Sequence, residues 1–207
     1  ILQELTPLAI ADPASGLTLC DALWNQPYLE FHLLGAMLLG QIPPEPPEPV
    51  IQRLKTWLTP ELEFYLIEAI MEHSFVRLRA ENPKAVVGVI QEWLNRRDSF
   101  YQQLGLRALL PLIQQPEYQN MPVFYRLIQP FASQTPVDLR PDLLDVLTAL
   151  AERSPQETAF FLKQTLAIPD SPDTPWLIRQ LIAQFPPDIQ SGLREAEKTV
   201  SARSTRF

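Results

Sequence analysis

Apolar residues recur at spacings of three and four along most of this chain, and the clearest run lies between Asp98 and Leu166. Four periodic segments follow one another there, each about 12–18 residues long, the length of amphipathic helices. Within Leu143–Ala151, the residues Leu143, Val146, Leu147 and Leu150 fall on one helical face. Short polar or proline-containing breaks separate the segments, so the stretch predicts helix, turn, helix, turn. Upstream, Leu2, Leu5, Leu8 and Ala9 predict a short helix broken at Asp12-Pro13-Ala14-Ser15-Gly16. A second helix is predicted over Leu17–Trp24. A third opens at Pro27 and Tyr28, with Leu34, Met37, Leu38 and Ile42 as its stripe, and a fourth spans Val50–Leu58. Between the last two, the proline-rich stretch from Pro43 to Pro49 predicts a stiff, extended connector, or a ligand for a proline-binding module.

The prolines carry further punctuation. Thr59-Pro60-Glu61, Asn82-Pro83-Lys84, Ser154-Pro155-Gln156-Glu157 and Thr174-Pro175-Trp176 each place a capping residue before a proline at the first helical turn. Ser154 with Glu157 also matches a capping box. Pro111 and Pro130 differ, because they fall late in apolar runs, where a missing N–H predicts a kink or an end.

Self-comparison predicts the architecture. Leu34-Gly35 and Leu104-Gly105 lie 70 residues apart, and the Pro49-Val50 and Pro122-Val123 pairs 73 apart. Leu78 to Pro83 aligns with Leu150 to Pro155 at an offset of 72. With comparable helices between these blocks, the unit is about 36 residues, the length of a two-helix repeat of the HEAT or armadillo kind. The expected fold is all-α, a right-handed α-α superhelix of about five two-helix repeats. One domain is expected over residues 1–200, with 201–207 as a flexible tail. Gly35, Gly88 and Gly105 sit inside helical patterns, where close helix–helix approach is the expected compensation for a poor helix former.

Charge narrows the choice of partner. The chain carries a net −7, but residues 1–76 hold only Arg53 and Lys55 against ten acidic residues, a local −8. The middle of the chain is close to neutral. The amino-terminal third therefore repels a polyanion, while the middle tolerates one. Cys20 is the one cysteine, so no disulfide forms within the chain. No apolar run has the length of a membrane span, and nothing at Ile1 reads as a signal peptide. A cytoplasmic protein, or a fragment of one since the chain starts at Ile1 rather than Met, is expected.

No H-E-x-x-H, G-x-x-x-x-G-K-[ST], G-x-S-x-G or C-x-x-C motif occurs, and no metal or cofactor is expected. His32, among Phe31, Leu33 and Leu34, is expected to pack at a core edge. Glu61, Glu68 and Glu72 with His73 are expected to form a solvated acidic face. Trp57 and Trp93 end corresponding helices. The pairs Phe100-Tyr101, Phe124-Tyr125 and Phe160-Phe161 are expected to put one ring in the core and the next at its edge, or to offer a stacking platform. Arg96, Arg97, Arg107, Arg126 and Arg140 either line a groove or form a salt-bridged surface with the acidic residues between them.

Residues 60–166 resemble the HEAT-like-repeat DNA glycosylases of the DNA alkylation repair family. The likeness rests on Gln91-Glu92-Trp93-Leu94, then Asp98-Ser99-Phe100, then Leu104-Gly105-Leu106-Arg107-Ala108-Leu109, and on Leu143–Glu152 followed by Ser154-Pro155 and Phe160-Phe161-Leu162. It implies a C-shaped helical solenoid with a concave DNA-facing surface. A groove lined by Phe64, Tyr65, Trp93, Arg97, Arg107, Arg126 and Arg140 follows, with Glu68 as the catalytic acid in an active member. The chain departs from the family pattern at three places. Phe64 and Tyr65 precede Glu68 where active members carry a tryptophan and an aspartate. The family's Arg-Lys-Ala-Ile-Gly-Trp signature falls on Asp142–Thr148, which reads Asp-Leu-Leu-Asp-Val-Leu-Thr, with Arg140 nearby. The amino-terminal third is acidic rather than basic. Two functions stay open: a non-catalytic scaffold for a protein partner, and a glycosylase excising cationic alkylated purines from duplex DNA.

Overall fold

In the computed structural model, which describes residues 1–204 and their side chains as far as Thr199, every regular element among the described residues is helical. The chain is all-α, as expected. Its helices group into two compact units, Ile1–Val89 and Ile90–Phe207. The helix that holds the boundary is α7, Pro83–Leu94.

The first unit opens with α1 (Leu2–Ala11), α2 (Pro13–Trp24) and α3 (Leu29–Leu39), which pack on one another. The Asp12-Pro13 break starts α2 rather than merely ending α1. Asp12 caps it by accepting the Ser15 N–H at 3.2 Å, and Pro13 takes the first helical position. Cys20 lies fully buried here, and burial pushes its thiol pKa up to about 12. The connector after α3 is shorter than the prolines imply. Pro47 already has helical torsions and caps α4 (Glu48–Trp57), so only the residues before it form the link. Trp57 stacks on Trp24 at 4.3 Å between ring centroids, and His32 packs against the same Trp24 ring. Arg53 grips the Asp21 carboxylate from α4.

Thr59-Pro60-Glu61 does not start a helix. Leu62 N–H bonds back to the Thr59 carbonyl at 3.1 Å, closing a turn, and α5 begins at Phe64 (Phe64–Ala69). Proline after a polar residue suits a turn as well as a first helical turn, so the local signal is shared. After α5 the backbone widens into a π turn, Ile70–Ser74, before α6 (Val76–Glu81). Asn82 then caps α7 through Ala85 N–H, as its motif predicts.

The second unit holds α8 (Ser99–Ile113), α9 (Met121–Ser133), α10 (Arg140–Arg153), α11 (Pro155–Leu166), α12 (Thr174–Leu181) and α13 (Pro187–Ser204). The four predicted segments are thus helices of 15, 13, 14 and 12 residues. Leu143, Val146, Leu147 and Leu150 are all fully buried. Pro111 and Pro130 stand inside the last turns of α8 and α9, which end two and three residues later. Ser154 precedes α11, but its side chain caps nothing, so the capping box does not form. Its carbonyl instead accepts from both the N–H and the hydroxyl of Thr158. Gly35 and Gly105 do permit close approach, to the Cys20 carbonyl and to Leu94. Gly88 does not: a Cβ there would meet nothing. The tail expected from Ser201 overlaps the end of α13, and its last three residues lie outside the described residues.

Candidate functional site

On α5, Leu66, Ile67 and Ala69 turn inward, which leaves Phe64, Tyr65 and Glu68 on the solvent side. Phe64 is 64 % exposed, an unusual position for a large apolar ring. The Tyr65 phenol hydrogen-bonds Glu63, which holds its proton above the ordinary tyrosine range. Just beyond Glu68 the π turn is fixed from two sides. Ser74 donates its hydroxyl to the Ala36 carbonyl at 2.8 Å, and the His73 carbonyl lies against Gly40, where any Cβ would overlap it. The Arg79 guanidinium donates to the Met71 carbonyl at 3.2 Å and reaches the Glu72 carbonyl, and burial lowers its pKa. Glu68 is therefore carried by a short helix whose far end is locked by α3. Glu72 and His73 approach only to 3.9 Å, and Glu61, Glu68 and Glu72 are all exposed.

The second unit treats its arginines differently. Arg107, on α8, donates to the Asp142 carboxylate on α10 at 2.8 Å, and Asp142 is only 7 % exposed. Arg140 pairs with Asp173 at 3.5 Å and lies over the Trp176 ring at 4.7 Å. The other Asp173 oxygen accepts the Thr135 N–H, and the neighbouring Thr174 hydroxyl donates to the Ala132 carbonyl. Arg153 donates into a set of carbonyls at and just beyond the end of α8, among them Ile113, Gln115 and Tyr118. A cation there answers the negative end of the helix. Arg96 stacks over Tyr101 at 3.7 Å. Of the arginines expected to line a groove or a salt-bridged surface, Arg96, Arg97 and Arg126 stand exposed without an ion pair among the described residues.

Trp93 is not a groove residue. It is 1 % exposed, on the same face of α7 as buried Ile90, and its ring fills core. The aromatic pairs behave as expected in two cases: Phe124 and Phe161 are buried while Tyr125 is half-buried and Phe160 exposed. Phe160 borders a groove of about 640 Å³ between α9 and α11, also lined by Tyr125, Arg126 and Gln164. The Tyr125 hydroxyl bonds that of Thr158 at 2.9 Å, and burial pushes its pKa up. Sequence reasoning missed Asp142, Asp173 and Arg153 as partners. The signal was present in the repeat itself, since each acid follows its arginine by 35 or 33 residues.

The family model of DNA alkylation repair enzymes matches residues 7–174. The chain belongs to that family. The match takes in α5 with Glu68, and also Arg107, Arg126, Arg140, Asp142 and Asp173. No curated protein and no solved structure matches the chain. Within the matched region, α5 presents an exposed carboxylate beside two aromatic rings, and Arg107 and Arg140 pair with Asp142 and Asp173. No helix among the described residues is long and apolar enough to cross a membrane.

Proposed function

We propose that this member of the DNA alkylation repair family is a non-catalytic scaffold that binds a protein partner. The observation that carries the proposal is the commitment of Arg107 and Arg140 to Asp142 and Asp173. Turning Arg107 toward a phosphate strands a carboxylate that is almost fully buried, at a cost of about 2 kcal/mol, less than for a fully buried pair because the guanidinium is partly exposed. A phosphate contact at a partly exposed site does not recover that. The acidic first 76 residues add long-range repulsion of a polyanion.

A second reading, excision of cationic alkylpurines, draws support from Glu68 with Phe64 and Tyr65 on one exposed helical face. There the carboxylate stabilises positive charge developing on the sugar as the base departs, while the rings pack against nucleotide faces. One experiment separates the two: release of a cationic alkylpurine from duplex DNA by the wild type and by Glu68→Gln. The scaffold releases nothing above the spontaneous rate, and its duplex affinity at about 0.15 M salt is no tighter than about 10⁻⁴–10⁻⁶ M. Release that falls about 10²-fold or more in Glu68→Gln establishes the second reading. Release that survives the substitution sinks both and moves the chemistry to another acid.

A further inference from the structure

We propose that the groove between α9 and α11 docks an extended peptide segment of a partner protein, one with an apolar side chain next to a carboxylate. The proposal rests on the scaffold reading and specifies the chemistry of its partner.

The groove is built on a firm base. The Tyr125–Thr158 hydrogen bond and the Tyr125 and Phe161 rings, 5.2 Å apart, join the two helices beneath it. Above that base, Phe160 is 64 % exposed while its neighbour Phe161 is buried. Most of the Phe160 ring surface is thus available for burial against an apolar side chain, which is the non-directional part of the attraction.

Charge selects the neighbouring group. The groove holds one cation, Arg126, and one anion, Glu157. Glu157 sits in the first turn of α11, where the partial positive charge of the helix terminus answers it. Arg126 sits in the middle of α9, where no such compensation exists. Among the described residues it has no ion pair, unlike Arg107, Arg140 and Arg179 of the same unit. A guanidinium beside an apolar surface fits a carboxylate through two parallel N–H···O bonds. A nucleic acid strand would bring several phosphates to one cation and one carboxylate, a poor match.

The remaining polar groups select an extended backbone. Gln129 on one bank and Gln156 and Gln164 on the other are exposed side-chain amides. Each offers a donor and an acceptor, the complement of an unpaired main-chain amide. An extended peptide presents such amides, whereas a helix has already used them.

The test is to pan a displayed library of random dodecapeptides against the whole protein, then measure synthetic copies of the enriched sequences by fluorescence anisotropy. Enriched sequences should share an aspartate or glutamate beside an aromatic or branched apolar residue. Arg126→Glu and Phe160→Ala should each weaken binding about tenfold or more, as anchors do, while Lys84→Glu on α7 leaves it unchanged. Both altered side chains are solvent-exposed, and unchanged melting curves verify that the variants fold. No shared motif, a basic motif, or binding that ignores both variants overturns the proposal. Self-association abolished by Phe160→Ala overturns it too, by making a second copy the occupant. Failed panning with no base release leaves the scaffold reading standing and removes only this site; base release removes the scaffold reading itself.

Discussion

In the first unit, the stretch from Phe64 to Glu81 meets α3 by changing its own backbone: the helix widens at Ile70–Ser74, Gly40 leaves room for the His73 carbonyl, and Ser74 bonds to Ala36. In the second unit, α8 runs fifteen residues without interruption and is held to α10 through side chains, Arg107 to Asp142. One unit adapts main chain to main chain, and the other joins regular helices with charged clasps. The contrast decides what each unit presents at its surface. Next to the π turn an acid and two aromatic rings are left on the surface, and π turns recur at functional sites. In the regular unit most arginines are occupied, and Arg126, which has no ion pair among the described residues, lines the α9–α11 groove.

Four sites test these two ways of joining helices. Leu147→Ala has the largest expected effect, a loss of about 2–5 kcal/mol read from a urea midpoint, because it opens a cavity in a fully buried stripe. An unchanged midpoint would show that the regular unit does not depend on its apolar face. Gly40→Ala should cost about 3 kcal/mol, the upper end for overpacking, since the added carbon meets backbone rather than a side chain that can swing away. A loss below about 0.5 kcal/mol, the range of ordinary surface changes, would mean that the π turn is not held by close approach. Arg107→Ala should cost about 2 kcal/mol, less than a fully buried pair because the guanidinium is partly exposed. Arg107→Ala/Asp142→Leu should recover much of that loss; a double variant as weak as the single one would show that the clasp is not electrostatic. Smallest is Gly88→Ala, a gain of up to about 1 kcal/mol from helix propensity alone, because nothing lies near its missing side chain. A measurable loss there would reveal a neighbour that the helix face does not show.

Local signals were legible where one helix decided the outcome. Asn82-Pro83 starts α7, and the Leu143 stripe is buried, because capping and periodicity act within a few residues. Thr59-Pro60 and Ser154 misled for the converse reason. The same local pattern serves a turn or a helix start, and the surrounding packing chooses. The site was less legible. Trp93 looked like a groove residue because an aromatic at a helix end reads alike in core and cleft. Arg107 and Arg140 stayed open between a groove lining and a salt-bridged surface because their acids lie 35 and 33 residues away, outside any local window. Phe64, Tyr65 and Glu68 were placed on one helix by the family resemblance, while the π turn behind them is set by packing on α3.

The clasps also bear on how such a chain is edited over generations. In a stacked array, apolar faces of neighbouring repeats are interchangeable, so a copy inserted or lost still finds something to pack on. Arg107–Asp142 and Arg140–Asp173 follow the same period, since each acid lies 35 or 33 residues after its arginine. Excising one repeat that carries Arg140 and Asp142 leaves Arg107 and Asp173 about one repeat apart, so a couple can form again. A whole repeat can therefore be gained or lost without stranding a charge, whereas an insertion or deletion of another length breaks both couples.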